Sequence, residues 1–229
     1  MKECPAIIAA LPREVAHLVR GWQVHRLPGK IVVYSNDQAV VACAGMGPAR
    51  ATLAVQAAMS FKPVTSLLSV GLAGACDPKL RVGEIVRAGV VVDTQSGERF
   101  SDSEHEQVLV STSNIASVKE KLRLYTSYGA SAVDMEAATV ARIAQAHNLK
   151  FHAIKVISDD AAFELQELGR FATHDGQFRE TAFAAHAAVR PHLWSKLFQL
   201  AGNSRRALQS LTAELESQLD WYRQNRQRG

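Results

Sequence analysis

The chain has 229 residues, 47% of them hydrophobic and 21% charged, enough for one sizeable globular domain or a domain with an appendage. A formal charge of +4, with no Lys/Arg block and no basic residues interleaved with aromatics, argues against nucleic acid as a main partner. Aromatic residues make up only 7% while Ala and Val abound, which suits a compact α/β core of closely packed elements.

Residues 5–11 form a short apolar run that reads as a buried first strand. Residues 22–43 read as a meander, with strand-like stretches at 22–26, 31–34 and 39–43 separated by Pro28-Gly29 and Asn36-Asp37 turns. Gly45-Met46-Gly47-Pro48 breaks that pattern and opens an Ala-rich helix over residues 49–60, with Pro48 suited to its first turn. A buried strand at 66–70 runs into Gly71-Leu72-Ala73-Gly74, and another spans 84–92. Residues 93–106 read as a polar loop, 108–111 as a strand, and 114–124 as a helix. A strand at 130–133 leads into Asp134-Met135-Glu136 and an Ala-rich helix ending at His147. The last buried strand, 151–157, is closed by Ser158-Asp159-Asp160.

Strands alternating with helices predict a three-layer α/β/α fold around a central mixed, mostly parallel twisted sheet over residues 1–160. Residues 161–229 turn helical, at 175–189, 192–201 and 204–225, a C-terminal extension expected to pack on the same domain.

Cys4, Cys43 and Cys76 are widely spaced without a C-x-x-C pair and read as reduced core thiols. The N-terminus lacks a signal-peptide layout, and no apolar run approaches the roughly 18 to 20 residues of a membrane span. A soluble, cytoplasmic protein is therefore expected. The eight histidines show no paired ligand spacing, so no metal is expected. Gly71 to Gly74 is neither G-x-G-x-x-G nor followed by a P-loop lysine, and no cofactor is expected.

Several predicted strands end in small or acidic residues: Leu11 before Arg13-Glu14, Val70 before Gly71, Val133 before Asp134 and Glu136, Ile157 before Ser158-Asp159. Ligands of open α/β sheets collect beyond the carboxyl ends of the strands, so three carboxylates and a glycine turn are expected to face one crevice. Singly, each has an ordinary reading. Gly71 to Gly74 is a tight strand-to-helix turn or a nest of N–H groups for an anion. Glu136 is an acid favoured at a helix start, and Asp159 a turn residue or N-cap.

In order along the chain, residues 7–15, 44–47, 69–74 with 80–86, 133–138 and 156–159 resemble one superfamily, the purine nucleoside phosphorylases and methylthioadenosine/adenosylhomocysteine nucleosidases. The most specific signal is Met135-Glu136-Ala137-Ala138 followed, at the end of the next strand, by Ser158-Asp159. The resemblance implies cleavage of the N-glycosidic bond of a purine nucleoside. It implies that Glu136 accepts from both ribose hydroxyls, as a bidentate carboxylate matches a cis-diol, with Met135 against the sugar. Asp159, beside Ser158, is implied to protonate purine N7, which needs a carboxyl that is protonated or shares a proton in a dry pocket. Glu14 is implied to position an attacking water or support an anion site, and Gly71, Leu72, Ala73 and Ile115 to line the substrate.

Leu72 stands where the nucleosidase pattern has a serine. That replacement, a short middle and the tail around 190–194 and 203–208 are similar to hopanoid-associated phosphorylases, which implies an adenosyl lipid as substrate. For phosphorolysis, with inorganic phosphate as co-substrate, Arg13, Arg50 and Gly74 are the candidate contacts. Hydrolysis of methylthioadenosine, adenosylhomocysteine or futalosine, and non-catalytic nucleoside binding on the same fold, are the alternatives. The superfamily also implies a homodimer. Leu208, Leu211, Leu215, Leu219 and Tyr222 form an apolar stripe that packs on the body or a second subunit. Joined to Arg205, Arg206, Arg223, Arg226 and Arg228, the same stripe reads alternatively as a membrane-surface helix.

Overall fold

The apolar N-terminal run becomes β1 (Pro5–Ala9), buried at every position because it lies between two parallel neighbours, β4 (Val40–Cys43) and β5 (Ser66–Ala75). The computed structural model describes residues 4–101, 105–164 and 191–228. The expected meander forms from β2 (Gln23–Leu27), β3 (Ile31–Ser35) and β4, all paired antiparallel. Between β1 and β2 a short helix, α1 (Pro12–Val15), carries Arg13 and Glu14. The Ala-rich helix α2 (Pro48–Phe61) starts at Gly47 and buries Ala51, Ala54, Val55 and Ala58 against the sheet.

The glycine segment behaves differently from its sequence reading. It makes no turn: β5 runs on through Gly71 to Ala75 and pairs in parallel with β10 (Lys150–Asp159), from Ser66 opposite Lys150 to Gly74 opposite Asp159. The small residues let β5 stay in a ladder on both sides while other chains approach its face. Beyond it, β6 (Ile85–Asp93), β8 (Gln107–Ser111) and β9 (Ala132–Asp134) follow in order and return to β5. β10 also pairs with β6, so β5, β10, β6, β8 and β9 close into a ring while β1, β4, β3 and β2 extend from it. The stretch expected to be a loop contains a short strand, β7 (Arg99–Ser101), paired with β6.

Two helices connect strands of the ring, one between β8 and β9 and one between β9 and β10. α3 (Val118–Tyr128) starts later than the apolar periodicity suggested. Ser117 caps it by accepting from the Glu120 N–H, and Gly129 ends it in the left-handed region. α4 (Ala137–Ala146) packs with α2 on one face of the sheet.

The opposite face is covered by α5 (Pro191–Arg228), one continuous helix where two were expected at 192–201 and 204–225. Asn203 and Ser204 do not break it. Ala207, Leu211, Leu215 and Leu219 are buried against Ile7, Val41, Leu68 and Ile154, and Arg87 of β6 pairs with Glu214. The described part of the apolar stripe, Leu208, Leu211, Leu215 and Leu219, therefore packs on the body. The helix expected at 175–189 and the side chains of Tyr222, Arg223, Arg226 and Arg228 lie outside the described residues. No helix among the described residues is long and apolar enough to cross a membrane.

Candidate active site

Where the ring meets the open part of the sheet, the carboxyl ends of β1, β5, β9 and β10 surround a cleft of about 180 Å³. Glu14, Glu136 and Asp159 all line it, as do Arg13, Leu72, Ala73, Gly74, Ile115, Met135 and Ser158.

Glu14 is buried at the start of α1, where its Oε2 accepts from the Leu11 N–H at 3.0 Å. It lies flat against Gly71, which stands behind the carboxylate and does not line the cleft. Burial raises the Glu14 carboxyl above its ordinary range, opposed by the Leu11 N–H and the Lys155 charge.

Glu136 precedes α4, and its Oε1 accepts from the Gly47 N–H at 2.7 Å. Burial and then the neighbouring Asp134 carboxylate push it up to about 7, while Lys155 and the Gly47 N–H pull the other way. Asp134 itself is fully committed. Ser111 Oγ donates to it at 2.6 Å, the Ala137 N–H at 2.9 Å, and Lys155 Nζ lies at 2.9 Å. It thereby orients the first turn of α4 that presents Met135 and Glu136. Lys155, 1% exposed on β10, also donates to the Val70 carbonyl. Burial alone would lower its pKa, but Asp134, Glu136 and Glu14 raise it above the ordinary lysine value.

Asp159 is buried as expected, but it is not a lone carboxyl. Its Oδ2 is ion-paired with Lys121 of α3, and Ser158 Oγ lies 2.6 Å from its Oδ1. Lys121 also donates to the carbonyls of Asp160 at 2.9 Å and Phe163 at 3.2 Å. From α3, Lys121 reaches the end of β10 and supplies a partner no local sequence shows. Gly74 fits here because a β-carbon would stand 3.0 Å from Asp159 Oδ2.

Of the expected phosphate contacts, Arg13 is exposed on the cleft wall. Arg50 is not there: it is buried on α2, donates to the Gly29 carbonyl at 2.8 Å and does not line the cleft. Gly74 lines it as strand backbone over the Lys121–Asp159 pair, so the anion nest does not form. A larger cavity, about 970 Å³, opens at the other end of β5 and β10 beside Arg87, His152 and Trp221. None of the candidate carboxylates lines it; all three line the smaller cleft.

A family model described as the phosphorylase superfamily matches residues 6–117 and 105–191. The chain belongs to the phosphorylase superfamily. No curated protein matches this superfamily member significantly. Solved structures share its fold. Futalosine hydrolase of Helicobacter pylori aligns with a TM-score of 0.71 at 19% identity, covering 96% of this chain and 98% of the other. The H. pylori 5'-methylthioadenosine/S-adenosyl homocysteine nucleosidase, complexed with a substituted pyrrolidin-3-ol, gives 0.71 at 18% identity over the same shares. A putative methylthioadenosine nucleosidase from Weissella paramesenteroides gives 0.63 at 19%, covering 93% and 98%.

In this phosphorylase-superfamily chain, sequence reasoning missed Lys121, Lys155, Ser111 and the Gly47 N–H. Two carried a signal. Lys155 interrupts the buried apolar run at 153–157, and Lys121 shares the buried helix face with Leu124. A lysine that is fully buried requires a partner.

Proposed function

We propose that this protein cleaves the N-glycosidic bond of a purine nucleoside. The observation that carries the reading is the convergence of Glu14, Glu136 and Asp159, from three separate strand ends, on one small cleft. Glu136 accepts from the two ribose hydroxyls. Asp159 delivers a proton to purine N7 as the bond to the sugar breaks and its electron pair passes to the base. Leu72, Ile115 and Met135 supply the apolar walls.

Water is the nucleophile we assign. Of the three expected phosphate contacts only Arg13 offers a charge to the cleft, whereas Glu14 places a buried carboxylate there. A buried carboxylate at the nucleophile's side of the cleft is placed to take a proton from an attacking water, and its charge would repel a phosphate anion. Inorganic phosphate is the competing co-substrate. For the sugar's 5′ group, the resemblance to hopanoid-associated phosphorylases supports an adenosyl lipid.

The test is release of free purine from an adenosyl lipid, methylthioadenosine, adenosylhomocysteine and futalosine, each with and without phosphate. An unchanged rate in phosphate-free buffer supports water; a rate that requires phosphate reassigns the nucleophile. Binding without release from any of them would make the protein a non-catalytic nucleoside binder. A homodimer is a separate proposal, tested by light scattering.

A further inference from the structure

The Lys121–Asp159 ion pair is buried on both sides, with Lys121 1% and Asp159 2% exposed, yet both residues line the cleft. Burying a charge pair is costly unless its geometry is good and its remaining valences are met. Here all three ammonium protons have acceptors: the Asp159 carboxylate and the carbonyls of Asp160 and Phe163. Ser158 completes the carboxylate from the other side. Cys76, the neighbouring thiol, is pushed up to about 12 by burial and stays protonated beside the pair.

An acid must hold one proton for every base released. In the free site, Lys121 is the charged donor on one oxygen of Asp159 and the Ser158 hydroxyl the neutral donor on the other. We propose that Lys121 is the positioning residue of the purine acid: it fixes Asp159 on the cleft wall and supplies, through that carboxylate, the proton the departing base takes up. This rests on the reading of Asp159 given above. The step balances. The Lys121 ammonium gives a proton to Asp159, Asp159 gives its proton to N7, and the C1′–N9 bond breaks with its electron pair going to the base. The purine leaves neutral. Water adds to C1′ and its proton goes to Glu14. Lys121 ends as a neutral amine, and transfer of one proton from Glu14 through solvent restores both groups.

The experiment compares two leaving groups on the same proteins: the purine nucleoside turned over fastest above, and 4-nitrophenyl riboside, whose leaving group needs no acid. Lys121→Met is expected to lose at least about 100-fold in kcat/KM on the purine nucleoside, the scale of lost acid catalysis, while staying within about 3-fold on the nitrophenyl riboside. Lys121→Arg keeps the charge and the carbonyl contacts but does not release a proton, so it stays low on the purine substrate alone. Equal losses on both substrates in a Lys121→Met protein whose unfolding midpoint shows it folded under assay conditions, or full purine activity in Lys121→Arg, would overturn the proposal; if Lys121→Met does not fold, Lys121→Arg alone decides. Asp159→Asn separates the two levels. If it spares purine release, the reading of Asp159 fails; if it abolishes purine release while Lys121→Met does not, only the role of Lys121 fails.

Discussion

The Glu14 carboxylate lies directly on Gly71: a β-carbon at that glycine would stand 3.1 Å from Oε2 and 3.2 Å from the carboxyl carbon. Gly71 also holds φ at +133°, a region that favours glycine. The glycine is thus required by an acid approaching the face of a strand, and not by a turn.

Gly71→Ala is therefore expected to displace Glu14 and strain β5. Thermal denaturation should show a loss of about 1–3 kcal/mol. The fall in kcat should exceed what the unfolded fraction explains. In a Glu14→Ala background the same substitution should cost no further activity, because the carboxylate it displaces is already gone.

Asp134 and Lys155 form a pair that is almost completely buried. Lys155→Met leaves a buried carboxylate without its charge partner and should cost about 3–5 kcal/mol by urea unfolding. Asp134→Asn combined with Lys155→Met should cost less than the two single changes summed, since neither charge is then stranded. Additivity would show that the pair is not energetically coupled.

Glu136 is expected to give the site a pH dependence whose sign follows from its raised carboxyl. Its carboxyl is raised from 4.5 to about 7, so it is largely protonated below that value and a charged acceptor above it. As pH rises through about 7, ribose binding should tighten and KM should fall, and Glu136→Gln should remove that limb from a KM–pH profile. Because the folded state holds this proton more tightly than the unfolded state, Glu136 makes the fold less stable as pH rises from 4.5 to about 7. Denaturation midpoints of Glu136→Gln should lose the same slope.

The α5 stripe yields a stability prediction. Leu211 and Leu215 are fully buried against the sheet, so Leu→Ala at either should cost about 2–5 kcal/mol in a single unfolding transition shared with the body. A change confined to the helix, with the rest of the chain unaffected, would mean that α5 is not part of the core.

Local pattern was enough for most of the elements. The run at β1, the three-strand meander, the Pro48 helix start and the stretches leading to Glu136 and Asp159 each carry their signal in neighbouring residues, because burial and turn chemistry act over a few positions. The same pattern brought Glu14, Glu136 and Asp159 to strand ends and therefore to one cleft. What it did not show depends on contacts between segments far apart in the chain. The straight course of β5 through Gly71 and Gly74, the ring closed by β10 on β6, and the removal of Arg50 to the Gly29 carbonyl are set by distant partners. So is the state of Asp159. Its sequence identifies a candidate acid, but the charge beside it comes from a lysine 38 positions away on α3, and the electrostatics of a buried carboxyl are decided by whatever the fold packs against it.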